Sequence, residues 1–183
     1  MNNLTSSNEE IDMIKDVIKD FGENEINPIT SDIELNSEIP SSILEKVSEL
    51  GLYGMLGSSE FDGAETNFST FIHAMLELAK YSPALSALLM FQNVFSVQLL
   101  TKYGSNEQKE DMLNNLNTGK KIGTALIGDD GSTLNIRNIN TEAMDEGDSL
   151  SISGNKKFAF NGEIADYFIV LSNIGKELGF VVI

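Results

Sequence analysis

Residues Ser82 to Gly119 read SPALSALLMFQNVFSVQLLTKYGSNEQKEDMLNNLNTG, and the rest of the chain is organised around them. From Ala84 to Leu100 nothing is charged. Leu85, Leu88, Leu89, Met90, Phe91, Val94, Phe95, Val97, Leu99 and Leu100 cover nearly the whole circumference of a helix. A helix that is apolar on all sides belongs in the middle of a bundle. Ser82 is its N-cap and Pro83 its first helical residue, where a missing N–H costs nothing. Gly104 marks its end. Ser105 and Gln108 then form a capping box, each side chain satisfying the other's orphan backbone N–H, and the helix they open runs through Met112, Leu113 and Leu116 to Gly119.

The apolar run approaches the roughly 20 residues that a bilayer requires. Gln92, Asn93, Ser96 and Gln98 interrupt it and no basic cluster flanks it, so the expectation is a buried helix of a soluble protein with no membrane partner.

Composition narrows the function. A chain of 183 residues, 41% hydrophobic and 22% charged, is long enough for one good core or two small domains. It has no cysteine, which excludes disulfides, thiolate metal sites and a cysteine nucleophile. The single histidine, His73, excludes any site built on two imidazoles. The polar, acidic start MNNLTSSNEE lacks the basic and apolar tracts of a signal peptide, which points to the cytoplasm. Net charge is −16, from 28 acidic and 12 basic side chains, so a nucleic-acid partner is not expected. Any polyanionic ligand would be held by backbone N–H groups, hydroxyls and helix N-termini more than by arginine.

Outward from the central stretch, Ser6 and Glu9 make a capping-box pattern ahead of Ile11, Ile14, Val17, Ile18 and Phe21, an amphipathic helix that ends before Pro28. Residues Ile29 to Glu38 read as a loop. Pro40 opens a helix with Ile43, Leu44, Val47 and Leu50 inward and Gly51 at C′. LYGMLGSSEFDGAE is an ordered, turn-rich connection, and Asn67 caps a helix with Phe68, Phe71, Ile72, Met75, Leu76 and Ala79 on its inner side. His73 and Glu77 share a face, but two ligands are not a metal site, and none is expected.

After Gly119 the pattern changes to short apolar runs: Ile122 to Ile127, Leu150 and Ile152, Phe158 and Phe160, Tyr167 to Leu171, and Phe180 to Ile183. Turn clusters separate them. The fold class is therefore α+β, an N-terminal α-helical bundle domain over residues 1–119 followed by a partial antiparallel β domain over 120–183. The last residues, Gly179 to Ile183, read as a strand in mid-course, whose apolar edge calls for a second polypeptide, a symmetry mate or further sequence.

Element order and the segments ENEINP, ELGLYGM, LELAKYSPAL, KYGSNEQKEDMLNNLNTGKKIGTALI and SISGNKKFAFNGEIADYFIVL resemble the N-terminal and middle domains of the acyl-CoA dehydrogenase family. The resemblance implies FAD, bound between the middle β domain and a C-terminal helical domain, and removal of a proton and a hydride from the α and β carbons of an acyl thioester. It implies that Leu126, Ile127, Ser132, Phe158 and Phe160 lie at the cofactor, and Phe95, Leu99 and Ser132 near the substrate. A hydroxyl residue usually follows Ala-Leu in the first strand, where this chain has Ile127. The following loop keeps Gly131, Ser132 and Thr133, with Ser132 placed to donate to a pyrophosphate or thioester oxygen and Asp129 and Asp130 opposing an anion there. A Trp-Ile-Thr/Ser-Asn-Gly motif appears as Phe158 to Gly162, keeping the aromatic wall at Phe158 and losing the hydroxyl at Phe160.

The family's catalytic glutamate lies in the C-terminal domain, and none of the acidic residues here takes that role. The chain alone is expected to be inactive, working as a homo-oligomer or with a second dehydrogenase-like chain. The alternative is a non-catalytic interaction module in which Ile127, Phe158, Phe160, Phe95 and Leu99 are packing residues.

Overall fold

The computed structural model describes residues 8–129 and 136–183, and the chain divides between Lys120 and Lys121 into two compact units. In the first, α1 spans Asn8–Phe21, α2 Thr30–Asn36, α3 Ser41–Glu49, α4 Phe68–Leu78, α5 Pro83–Met90, α6 Gln98–Tyr103 and α7 Asn106–Asn117. Ser6, half of the expected capping box, lies outside the described residues. Elsewhere the caps form as the sequence predicts: Ser82 Oγ accepts from Leu85 N (3.2 Å), Asn67 Oδ1 from Thr70 N (3.0 Å), and Ser105 and Gln108 exchange bonds at 2.9 and 3.2 Å.

The expected loop at Ile29 to Glu38 is instead helical over Thr30–Asn36. Pro28 sits in a 3₁₀ turn, Asn27–Ile29, where a missing N–H is tolerated, and Thr30 Oγ1 donates back to Ile26 O (3.1 Å). Helical geometry entering this segment outweighs the turn preference of its Ser, Asp and Asn residues. On α4 the buried face is Thr70, Phe71, Ala74, Met75 and Leu78. Phe68 and Leu76, expected inside, are 54% and 61% exposed.

The helix Pro83–Tyr103 is long and apolar enough to cross a membrane, and half of its most apolar stretch is buried within the fold. Between α5 and α6 its backbone widens into a π-helical stretch, Phe91–Val97, an irregularity that re-aims side chains and is frequent at functional sites. Gln92, Asn93 and Ser96 are fully buried there. Asn93 Nδ2 donates to Leu52 O (2.9 Å) and Leu89 O (3.0 Å), and its Oδ1 accepts from Leu56 N (3.0 Å). Gln92 Nε2 donates to Leu116 O (2.9 Å) on α7, and Gln98 Nε2 to Leu56 O (2.6 Å). Three of the polar residues that break the apolar run, Gln92, Asn93 and Gln98, thus tie the central helix to the turn-rich connection and to α7. That connection lies so close to α7 that a Cβ on Gly57 would fall 2.2 Å from Asn117 Oδ1.

The second unit holds β1 (Gly123–Leu126), β2 (Glu142–Asp145), β3 (Leu150–Ser153), β4 (Tyr167–Ile174) and β5 (Glu177–Val182) in one sheet. β4 is its centre. It pairs parallel with β1 (Gly123 opposite Tyr167) and with β2 (Glu142 opposite Asn173), and antiparallel with β5, while β2 and β3 are antiparallel. The α+β class stands, and the sheet is mixed instead of antiparallel throughout, because the long connection from Ile127 to Asp166 brings β4 back beside β1 in the same direction. β2, which has a single buried residue, Ala143, left no alternation to read. Phe158 and Phe160, expected in a strand, lie in a turn.

Replacing Asn93 by Ala is expected to destabilise the helical unit by roughly 3 kcal/mol, because the half-buried Leu56 N–H and the carbonyl of buried Leu52 lose their partner. Leu35→Ser, at an exposed site, stays within about 0.5 kcal/mol of the parent. Urea unfolding followed by helical circular dichroism measures both.

A candidate cofactor platform at the rim of the sheet

Beyond Leu126, β1 runs into Ile127, Gly128 and Asp129. Asp129 is 4% exposed, and its carboxylate is bonded within the fold. Its Oδ1 accepts from Lys156 Nζ (2.6 Å) and Thr141 Oγ1 (2.7 Å), and its Oδ2 from the backbone N–H groups of Thr141 (2.8 Å) and Asn140. Lys156 Nζ also donates to Ile127 O (3.1 Å) and Leu171 O (2.6 Å), so all three ammonium protons are used. Burial would raise the Asp129 carboxyl, but the bonds from Lys156, Thr141 and Asn140 outweigh it and hold the group at about 2. Asp129 therefore does not present the opposing surface charge that the sequence suggests. Its charge is matched inside the fold. The sequence reading missed this pair, whose members are separated by a long connection with no pattern joining them.

The pair fixes the chain that follows. Lys157 N donates to Gly128 O (2.9 Å), and Thr124 Oγ1, on β1 and fully buried, donates to Phe160 O. Between these two anchors Phe158 adopts φ +62° and leaves its ring 75% exposed, with Lys157 Nζ 5.6 Å from the ring centroid. A bulky residue in the left-handed region is held there only where its surroundings over-determine it. Phe160 is 47% exposed, and Gly162 N closes the turn on Ala159 O (3.1 Å).

Of the residues implied at the cofactor, Leu126 and Ile127 are half-buried at the end of β1; Lys157 N holds the start of the Phe158–Phe160 turn at Gly128 O beyond that end, and the Thr124 side chain holds Phe160 O towards the start of the strand. Ser132 and Asp130 lie outside the described residues. Phe95 and Leu99 belong to the helical unit. Both are half-buried, and Phe95 stacks on Phe91 with ring centroids 5.0 Å apart. Phe91 was not singled out in the sequence, although its spacing of four from Phe95 is the signal for such a contact. Glu77 pairs with Lys80 (2.6 Å), and no group able to hold a metal ion occurs among the described residues.

An exposed aromatic ring on a rigid turn suits the flat face of a flavin. The polar edge is served less well. Thr124 spends its hydroxyl on Phe160 O, Lys156 has no proton left, and positions 127 and 160 carry hydrocarbon.

The family model described as acyl-CoA dehydrogenase, N-terminal domain, matches residues 8–120. The short-chain specific acyl-CoA dehydrogenase of Clostridium acetobutylicum is 31% identical over 97% of this chain and 46% of its own length. The crystal structure of an acyl-CoA dehydrogenase from Geobacillus kaustophilus superposes with a TM-score of 0.88 at 26% identity, over 97% of this chain and 48% of that one. A glutaryl-CoA dehydrogenase from Mycobacterium smegmatis in complex with FADH2, 23% identical, shares the fold with a TM-score of 0.90 over 97% of this chain and 46% of that one. The chain belongs to the acyl-CoA dehydrogenase family and spans about half the length of the curated relatives it matches.

Because the folded carboxyl of Asp129 titrates at about 2, below its ordinary value of 3.8, its contribution is complete above pH 4 and is lost as pH falls toward 2. Acid titration of the β unit is expected to show a loss of about 2 kcal/mol over that window, and Asp129→Asn to remove it. At neutral pH Asp129→Asn costs about 3 kcal/mol, since Lys156 is left buried without its counter-charge.

Proposed function

We propose that this chain is part of an FAD-dependent acyl-thioester dehydrogenase of the cytoplasm, with the flavin ring lying on Phe158 and Phe160 in the turn held alongside β1. The observation that carries this reading is the exposed Phe158 ring, held in a left-handed backbone conformation by bonds on both sides of it. Membership of the family supports the reaction class, and structural neighbours solved in complex with FADH2 or FAD support the cofactor. Bound flavin would accept a hydride from the β carbon of the thioester. Leu126 and Ile127 would border the ring, Ser132 would donate to a pyrophosphate or thioester oxygen, and Phe95 and Leu99, backed by Phe91, would offer apolar surface to the acyl group. The base that removes the α proton is assigned to no residue of this chain. A second dehydrogenase-like chain, or the C-terminal helical domain that the family resemblance implies, would supply it, whether or not the chain also forms a homo-oligomer.

Hydrocarbon at Ile127 and Phe160 favours a second reading, an accessory module of the family that no longer binds flavin.

The test is the visible absorbance of the purified chain after incubation with FAD and desalting, alongside size-exclusion chromatography. Retained flavin bands are expected, reduced at least tenfold by Phe158→Ala. Ile127→Thr and Phe160→Thr, which restore hydroxyls, are each expected to tighten binding roughly 2- to 10-fold. A colourless parent that stays colourless in every variant contradicts the proposal and leaves the accessory module.

A further inference from the structure

We infer that the Asp129–Lys156 pair, with Thr124, is a positioning device for the aromatic turn: it holds the Phe158–Asn161 backbone in the shape that offers the Phe158 ring to a planar aromatic ligand. This inference rests on the proposed flavin platform for the identity of the ligand, and on the structure alone for the clamp. Three features carry it. Lys156 gathers the carbonyls of Ile127 and Leu171 together with the Asp129 carboxylate, so it joins the end of β1 to the middle of β4 two residues before Phe158. Thr124 grips the far side of the turn through Phe160 O. Phe158 (φ +62°) lies between them and Asn161 (φ +59°) one residue beyond, both left-handed and neither a glycine. A turn with such backbone angles relaxes when its anchors are removed, because a bulky left-handed residue such as Phe158 lies above its preferred conformation.

A buried ion pair is weak evidence for stability, since a well-packed apolar pair of similar volume often serves as well or better. This pair has an additional consequence, because each charge fixes backbone beyond its partner. Asp129 fixes Asn140 and Thr141 ahead of β2, and Lys156 fixes β1 against β4. Replacing it by hydrocarbon keeps the bulk and discards those bonds.

The experiment compares the parent with two variants of the full chain. Asp129→Leu combined with Lys156→Met removes both buried charges together. Thr124→Val removes the second anchor inside a strand that favours β-branched residues. Amide hydrogen exchange is read without flavin at Lys157, Gly162 and Ile164, and at Val170 in β4 as the reference. Exchange at the three turn amides is expected to accelerate at least tenfold in both variants, with Val170 unchanged, and FAD affinity in the same proteins to fall at least tenfold. Unchanged turn exchange in both variants overturns the inference whatever the flavin does. Faster exchange throughout the β unit also overturns it, because the pair then serves stability alone. If the turn loosens while the parent shows no affinity for FAD, the clamp stands and the proposed cofactor fails.

Discussion

A buried ammonium group needs three acceptors, and in this chain the three that Lys156 finds determine how the β unit is tied together. Two are carbonyls, one at the end of β1 and one within β4. The third is a carboxylate that itself reaches two backbone N–H groups and a hydroxyl in front of β2. Strands far apart in sequence thus meet around one pair of charges. The turn that follows inherits its geometry from that junction, and the exposed rings on it are the platform from which a function can be argued.

The helical unit solves the same problem without charge. Its central helix is too apolar to specify a register by side-chain contacts alone, since one leucine fits a hydrocarbon environment much like the next. Asn93 and Gln92 supply the specificity, each bonded to backbone carbonyls of neighbouring segments. A rotation of the helix would leave those amides buried and unpaired, which costs more than any gain from repacking. The π-helical stretch at Phe91–Val97 aims them inward and also brings Phe91 against Phe95.

The helices were legible in the sequence because their determinants are local. Ser82, Asn67, Ser105 with Gln108, and Gly51 each act within four residues of themselves, and each is where the sequence places it. The segment Thr30–Asn36 was misread because its composition favours a turn, while its conformation continues the helical turns before it. In the β unit the parallel pairing of β1 with β4 depends on a crossover that no local signal announces. The candidate site was legible in part: family resemblance identified the Phe158–Phe160 segment, but only the structure placed it in a turn. The Asp129–Lys156 bond could not be read, since nothing in either residue's neighbourhood indicates burial.

The central claim is that the Phe158–Phe160 turn receives a flavin ring, and it is tested most directly by nuclear magnetic resonance of the chain labelled at its phenylalanine rings and titrated with FAD. The account predicts saturable ring-current shifts at Phe158 and Phe160, with none at Phe71, whose ring is fully buried in the helical unit. A titration that shifts other rings and leaves those two unmoved, or that shifts none, would contradict it.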